Sequence, residues 1–192
     1  DNKIDVAVSE YQRILERNPS DREALVNLAL AYGQKLRADD EAMDYYQRAL
    51  AVQPGNDMLH LAQARVYGMR NEAVNSVSCY KKALDSSDGN EQKVIAHVIS
   101  LLSERPELLR IRWFLVELLV SYGHLRESLE QIEFIAKNHP GQAANALKAL
   151  DTILKKDPKN VTALVLRGTM LLTSGQTNDA AKSLEKAVEL LP

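Results

Sequence analysis

The sequence predicts an all-α fold, a right-handed superhelical solenoid of antiparallel helix hairpins with about eleven helices. Three observations support this prediction. All six prolines lie on one lattice, small and large apolar residues recur between them at helical spacing, and glycines stand where the predicted helices turn. The chain of 192 residues is 45% hydrophobic and 26% charged, which is typical of a soluble protein with a core.

The prolines define the length of the repeat. They are separated by 35, 52, 34, 18 and 34 residues, and the step of 52 divides into 34 and 18 if Asp88 occupies a skipped proline position. A period of about 34 residues is typical of helix–turn–helix repeats. A proline has no backbone N–H to donate within a helix, so each one is expected to separate two repeats. The six are Pro19, Pro54, Pro106, Pro140, Pro158 and Pro192.

The first complete repeat spans residues 20–54. Ser20 and Glu23 predict a capping box at the start of its first helix, and a loop from Arg37 to Asp39 separates that helix from the second. Alanines are expected where the two helix axes approach most closely, and tyrosines between successive hairpins. The core positions are Leu25, Leu28, Ala29 and Tyr32, followed by Ala42, Tyr46 and Ala49.

Three further repeats follow the same plan at residues 55–88, 107–140 and 159–192. Gly33, Gly68, Gly123 and Gly175 end or nearly end first helices, where a residue that tolerates positive φ is useful. Gly168 is expected to provide a small-residue contact inside a hairpin. The other core positions are Ala64, Tyr67, Ser76, Tyr80 and Ala83; Leu115, Val116, Leu119, Ser128, Ile132 and Ile135; and Leu164, Leu171, Ala180, Leu184 and Ala187.

Three segments match only the second helix of a repeat. Residues 1–19 form a truncated repeat, which indicates a fragment that begins inside a repeat, and residues 89–106 and 141–158 are single helices. Their expected buried positions are Ala7, Tyr11 and Ile14; Val94, Val98 and Leu101; and Ala146, Leu150 and Ile153.

The two internal single helices leave two alternatives. Helices joined by short turns alternate in direction, so one inserted helix reverses the phase of every later hairpin and a second restores it. Helix 91–104 could then pair with 107–122, and 125–138 with 143–156, which gives one leading helix and five hairpins. Alternatively, each half-step conceals a helix that this chain lacks. A spacing of about 3.8 Å between consecutive Cα atoms at residues 89–92 and 141–144 would support continuity.

Composition and motifs argue against several classes of function. A net charge of −2 supplies no overall attraction for nucleic acid. The longest apolar stretch, Trp113 to Val120, is interrupted by Glu117 and falls short of the about 20 residues that span a bilayer, so no membrane insertion by this fragment is expected. Cys79 is expected to be a buried structural thiol. The four histidines are far apart in sequence, and no catalytic, metal-binding or phosphate-binding motif occurs, so neither an enzyme nor a cofactor is predicted.

The pattern L-x2-L-A-x2-Y, then A-x3-Y-x2-A, then P in residues 25–54 resembles the tetratricopeptide repeat (TPR) family, and the resemblance covers nearly the whole chain. It implies that first helices line a concave groove that binds ligand. The groove candidates are Asn27, Leu30, Gln34, Met58, Leu61, Arg65, Met69, Val165 and Thr169.

Trp113 and Arg110 complete the set of candidates, because tryptophan and arginine are enriched at binding hot spots. Packing in the core is the alternative role for Trp113. Chaperone-binding members of the TPR family hold a C-terminal carboxylate with a lysine, an asparagine and an arginine. Only Asn27 matches that clamp, and Val26 and Leu30 stand where polar or basic clamp residues are expected, so the sequence predicts against this ligand class.

The predicted function is a non-enzymatic protein-interaction scaffold or assembly factor, of the kind found in bacterial envelopes, that binds an apolar or amphipathic peptide or a partner protein. Two alternatives remain: a regulatory or docking domain of a larger enzyme, and a structural protein that self-associates into a homo-oligomer. Cytoplasm and bacterial periplasm are both compatible with the sequence.

Overall fold

The chain folds into helices alone throughout the part that the structure describes. A computed structural model describes the backbone of residues 2–36, 39–86 and 90–191 and the side chains of residues 4–33, 40–86 and 90–191. Eleven α-helices and no strand lie in these ranges, so the prediction of an all-α fold is confirmed. They are α1 (Asn2–Arg17), α2 (Arg22–Leu30), α3 (Asp39–Val52), α4 (Asp57–Met69), α5 (Ala73–Leu84), α6 (Glu91–Glu104), α7 (Leu109–Ser121), α8 (Leu125–Asn138), α9 (Ala143–Lys156), α10 (Val161–Thr173) and α11 (Thr177–Glu189).

Two short segments differ from regular α-helix. A π-helical segment, Ala31–Leu36, extends α2, and a 3₁₀ turn, Pro140–Gln142, leads directly into α9. The backbone is therefore continuous through residues 141–144. Several positions on which the sequence predictions rest lie outside the described residues. They include residues 37 and 38 of the expected loop, the proline-equivalent Asp88 and the first residue of the 89–92 stretch.

The chain divides into two compact units, Asp1–Ile111 and Arg112–Pro192. In the first unit α2, α4 and α6 contact one another in succession, while α1, α3 and α5 pack against them. In the second unit α8 packs against α9 and α10, and α10 also packs against α9 and α11. Within each unit the even-numbered helices thus form one layer.

Most core positions expected from the sequence are buried, and Tyr46 and Tyr80 are completely so. The first helix differs. Val8 and Leu15 are its buried residues, whereas Ile14 is 40% exposed and Ala7 is also exposed. Among the described residues α1 packs mainly against α2 and the π-helical segment, so a single stripe at helical spacing is covered and positions 7 and 14 lie outside it.

Asparagine or aspartate side chains begin four of the helices. Asp21 accepts a hydrogen bond from the Ala24 N–H at 3.0 Å, which satisfies one of the unpaired donors of the first turn. The predicted Ser20–Glu23 capping box is wrong, because Asp21 is the extended residue that precedes α2, with φ −61° and ψ 118°. The equivalent caps are Asn56 on α4, Asn90 on α6 and Asn160 on α10.

Five of the prolines occupy β-turns between helices. In each, the residue before the proline accepts a hydrogen bond from the N–H two positions after the proline, which places the proline at the second position of the turn, where its fixed φ fits. The donors Asp21, Asn56, Leu108, Gln142 and Asn160 lie 2.9–3.3 Å from their acceptors Asn18, Gln53, Arg105, His139 and Asp157. These proline turns follow α1, α3, α6, α8 and α9.

A second kind of turn contains a residue with positive φ and follows α4, α7 and α10. That residue is Asn71 (φ 63°), Gly123 (φ 83°) or Gly175 (φ 75°). In each case the next residue returns its N–H to a carbonyl five positions earlier, at 2.8–2.9 Å, which closes the C-terminus of the helix. The glycines at 123 and 175 therefore fulfil the role expected of them.

Gly68 and Gly33 serve close packing instead of a turn. A Cβ at Gly68 would overlap the end of the Leu101 side chain, and one at Gly33 would overlap the Tyr46 hydroxyl. The expectation of positive φ at these two glycines is therefore wrong. In the turn after α4 the left-handed residue is Asn71. Asparagine adopts this conformation more readily than most other residues with a side chain.

The order of the two kinds of turn along the chain shows where the array departs from a regular repeat. Two proline turns occur in succession around α9, with no positive-φ turn between α8 and α10. Helix α6 combines features of both layers. It begins with an asparagine cap, like the capped helices α2, α4 and α10. It ends at a proline turn, however, as α1, α3, α8 and α9 do. Both helices correspond to the predicted single segments, 89–106 and 141–158.

Candidate binding grooves

A groove of about 700 Å³ lies between α8 and α10, which we call the even groove. Its lining comes from one face of each helix, at positions three or four residues apart. Val165 is 43% exposed, and Thr169 lies on the same face. The lining residues are Arg126, Leu129, Glu130 and Glu133 of α8 and Asn160, Val161, Thr162, Val165, Leu166 and Thr169 of α10.

The even groove combines an apolar floor with an acidic rim. Leu129, Val161 and Leu166 supply apolar surface, while Glu130 and Glu133 are exposed on the α8 side. Arg126 lies 3.5 Å from Glu130, and both side chains are well exposed. Water screens such a pair, so it holds the two groups weakly and leaves them available to a ligand.

A second groove, of about 590 Å³, lies between α7 and α9, and we call it the odd groove. Trp113, Val116 and Val120 line it from α7, and Ala149 lines it from α9. Its polar members are Glu117 and Ser121 on α7 and Asn145, Lys148, Thr152 and Lys156 on α9. The small side chain of Ala149 leaves the space that the larger α7 residues face.

Hydrogen bonds fix both ends of the odd groove. The Trp113 indole N–H donates to Gln142 Oε1 at 3.1 Å, and Asn145 Nδ2 donates to the same oxygen at 2.8 Å. At the other end Lys156 Nζ donates to the Val120 carbonyl at 2.9 Å. A cation near the C-terminus of α7 is also favoured by the helix dipole.

The arginine that precedes Trp113 has a structural role. Arg112 is buried, its Cζ lies 3.8 Å from the centroid of the Phe134 ring, and its Nη1 donates to Gln131 Oε1 at 2.6 Å. Burial lowers the pKa of this guanidinium. These contacts join α7 to α8. Arg110, which was also a candidate, is exposed.

In the first unit one candidate on α2, Asn27, lies at a groove of about 420 Å³. Asn27 lines this groove together with Val26 and the first turn of α2. Leu30 is half-buried and packs against the core. The side chain of Gln34 lies outside the described residues.

The candidates on α4 have different surroundings. Met58 is 55% and Met69 37% exposed, whereas Leu61 is buried. Arg65 donates through one nitrogen to both carboxylate oxygens of Glu104 at 2.7 Å, so it holds α4 to α6. Leu61 and Arg65 therefore contribute to packing within the unit, and the two methionines remain accessible.

Two polar residues of α4, His60 and Gln63, are also buried, at positions where the repeat usually has large apolar side chains. Gln63 Oε1 accepts a hydrogen bond from the Cys79 thiol at 3.2 Å, and burial raises the pKa of that thiol. His60 Nε2 lies 2.8 Å from the Pro54 carbonyl. Polar residues replace large apolar ones here because each finds a polar partner in the core.

Neither a metal-binding cluster nor a membrane-spanning helix occurs among the described residues. They contain no group of three or more histidine, cysteine, aspartate or glutamate side chains placed to hold a metal ion. Nor does any helix among them have the length and apolar character needed to cross a bilayer.

Three of the candidates proposed from the sequence line the grooves of the second unit. Val165 and Thr169 lie in the even groove and Trp113 lies in the odd groove, as separate sites. Their neighbours on α8 and α9 were missed, because those helices were assigned only a buried face. The exposed residues at positions 126, 130 and 133, and at 145, 148, 152 and 156, follow helical spacing, and that pattern could have indicated a second face.

Comparison with known proteins supports the fold. The solved structure of YrrB, described as a TPR protein with an unusual peptide-binding site, is 18% identical, with a TM-score of 0.50 over 95% of this chain and 92% of that one. MamA is 14% identical, with a TM-score of 0.45 over 98% and 89%. PilF of Pseudomonas aeruginosa is 19% identical, with a TM-score of 0.41 over 92% and 79%. No curated protein sequence matches the chain.

A protein-family model also matches the chain. The family model described as tetratricopeptide repeat matches residues 1–58 and 140–192, more than half of the chain. It covers the truncated repeat, the first complete repeat and the C-terminal end of the chain. This chain belongs to the tetratricopeptide repeat family.

Proposed function

We propose that this chain is a non-enzymatic protein-interaction module, a scaffold or assembly factor, that binds an amphipathic segment of a partner protein in the even groove. The observation that carries the proposal is the open groove between α8 and α10, with Val165 exposed in it and two glutamates along its rim. Membership of the TPR family supports a binding role.

The chemistry of the groove favours one kind of ligand. Apolar side chains of the ligand would cover Val161, Val165 and Leu166, and burial of apolar surface contributes about 25 cal/mol for each Å² removed from water. Basic side chains would lie beside Glu130 and Glu133, where opposite charges orient the ligand more than they tighten it. The binding segment is thus amphipathic and basic along one edge. The peptide-binding site named in the description of YrrB is consistent with such a role.

Peptide display on the intact chain tests the proposal. Peptides selected on the wild-type protein should combine apolar residues at helical or alternating spacing with lysine or arginine. Val165→Glu should weaken their binding at least about tenfold, since it places a charge where an apolar side chain must be buried.

Leu172→Glu is the matched control. Leu172 is a 48% exposed residue of the same helix and is not part of the groove lining. This variant should bind the selected peptides like the wild type. Equal binding by the Val165→Glu protein, with an unchanged melting temperature, would remove the even groove from the function.

A further inference from the structure

The odd groove has the dimensions of a short helical contact. Trp113 is joined to Gln142 just before α9, and Val120 is joined to Lys156 in the last turn of α9. Helices α7 and α9 therefore run side by side in the same direction. Trp113 and Val120 are seven positions apart on α7, which spans about 10 Å, the distance between positions i and i+7 of any α-helix. Three anchors of an amphipathic helix fit that length.

The charges along this groove are asymmetric. Lys148 and Lys156 are exposed on the α9 side, eight residues apart, and Glu117 is exposed on the α7 side. A helix lying in the groove is therefore favoured when its edge beside α9 carries carboxylates. The even groove has the opposite character, because Glu130 and Glu133 are on its rim. Arg126 offsets one of the two glutamates and Glu117 offsets one of the two lysines, so the rims of the two grooves carry net charges of opposite sign.

Trp113 gives the groove a rigid end wall. Its indole is half-buried and held by Gln142, which also binds Asn145, so little side-chain freedom remains to be lost when a ligand packs against the ring. A preorganised aromatic residue beside an apolar floor is a common arrangement of binding hot spots.

We infer that the odd groove is a second docking site, which takes an amphipathic helix of a partner protein with acidic residues along one edge of its apolar face. The occupant's apolar residues cover Trp113 and Ala149, above the buried Val116 and Val120, and its carboxylates lie beside Lys148 and Lys156. This site is separate from the even groove, so a partner at one groove leaves the other open.

Trp113 is the only tryptophan of the chain, so its fluorescence reports on this groove directly. The probe is a 16-residue helical peptide without tryptophan that has a leucine stripe flanked by glutamates, titrated into the intact chain. We expect a saturable change in Trp113 emission. The same peptide with lysines in place of the glutamates should bind about fivefold more weakly, because rim charge pairs contribute up to about 1 kcal/mol.

Two lysine variants separate a specific site from general attraction. Lys148→Glu should reverse the preference between the two peptides. Lys155→Glu makes the same change of charge at an exposed α9 residue outside the groove lining, and should retain the preference for the glutamate peptide. Val165→Glu, which blocks the even groove, should leave the acidic peptide unaffected, so failure of the proposed function and failure of this site are distinguishable.

Three outcomes would overturn the inference. The first is no saturable emission change with the acidic peptide, and the second is an unchanged preference in Lys148→Glu. In the third, light scattering of the chain without peptide shows a doubled mass that develops together with a shift in Trp113 emission. That result would mean that a second copy of the chain fills the groove.

Discussion

Gly168 of α10 lies directly against Leu184 of α11: a Cβ atom at position 168 would stand 2.6 Å from Leu184 Cγ. The same Cβ atom would lie 3.4 Å from the Ala180 carbonyl oxygen. The absence of a side chain at position 168 is therefore what allows the last two helices to approach.

Gly168→Ala should consequently destabilise the protein. Overpacking costs typically about 1–3 kcal/mol, and the better helix propensity of alanine returns up to about 1 kcal/mol, so a net loss of about 1–2 kcal/mol is expected in urea unfolding. Gly141→Ala is the control, since a Cβ there meets no atom within 4 Å. Equal stability of the two variants would show that Leu184 moves aside freely.

The caps predict a contrast between neighbouring residues. Asp21→Ala should lower the free energy of unfolding by about 1 kcal/mol, because it leaves the Ala24 N–H without its acceptor. Ser20→Ala should have almost no effect, since Ser20 is exposed and is not the cap. Paired thermal melts of the two variants make the measurement. A larger loss from Ser20→Ala would restore the capping box that the sequence alone suggested.

Stability should fall in mild acid because of His97. Burial lowers the pKa of this histidine below its ordinary 6.5, and the positive charge of Arg65 lowers it further. The unfolded chain then binds a proton at a pH where the folded chain does not, so protonation favours unfolding. The stability that neutral His97 contributes is complete above pH about 6.5, and it is lost as the pH falls through the pKa of His97 in the folded chain.

Urea unfolding at pH 7.5 and 5.5 measures this effect. His97→Gln should show a smaller loss of stability between the two values than the wild type does. His97 Nδ1 lies 3.2 Å from the Tyr80 hydroxyl, so the variant also needs comparison at pH 7.5, where any cost of losing that contact appears alone. An identical pH dependence in both proteins would show that His97 does not titrate as inferred.

Cys79 should react slowly with a disulfide reagent in the native protein. Its thiol is buried, donates to Gln63 and has a raised pKa, so little thiolate is present or accessible. The rate should rise to that of a free thiol once the chain is unfolded in urea. Fast labelling of the native chain would contradict the packing of α5 against α4.

The sequence was most informative where one residue type has one physical role. Prolines located the turns because only proline combines a fixed φ with a missing donor, and Tyr46 and Tyr80 identified buried positions because each recurs at the same place in its repeat. The cap at Asp21 was missed because serine and aspartate are both good caps, and only the backbone conformation distinguishes them.

The grooves were harder to predict, because a groove depends on which helices become neighbours. Val165 was proposed from its position on the first helix of a repeat, and Trp113 from the enrichment of tryptophan at binding hot spots. Glu130 and Lys148 were not proposed, since exposed charges occur on most of the helices and indicate a binding site only where a neighbouring helix completes a groove. The pairing of α8 with α10, and of α7 with α9, comes from the order of the turns.

The succession of two proline turns around α9 has a consequence for how such chains diverge. The proline turn can follow a helix of either layer, so the array can gain or lose one helix together with its turn. In this chain such a unit is 18 residues long, from Pro140 to Pro158. Insertions and deletions in related chains should therefore come in steps of about half a TPR as well as whole ones. Each half-step exchanges the roles of the two layers for every helix that follows, so one short deletion can create a new binding surface from old residues.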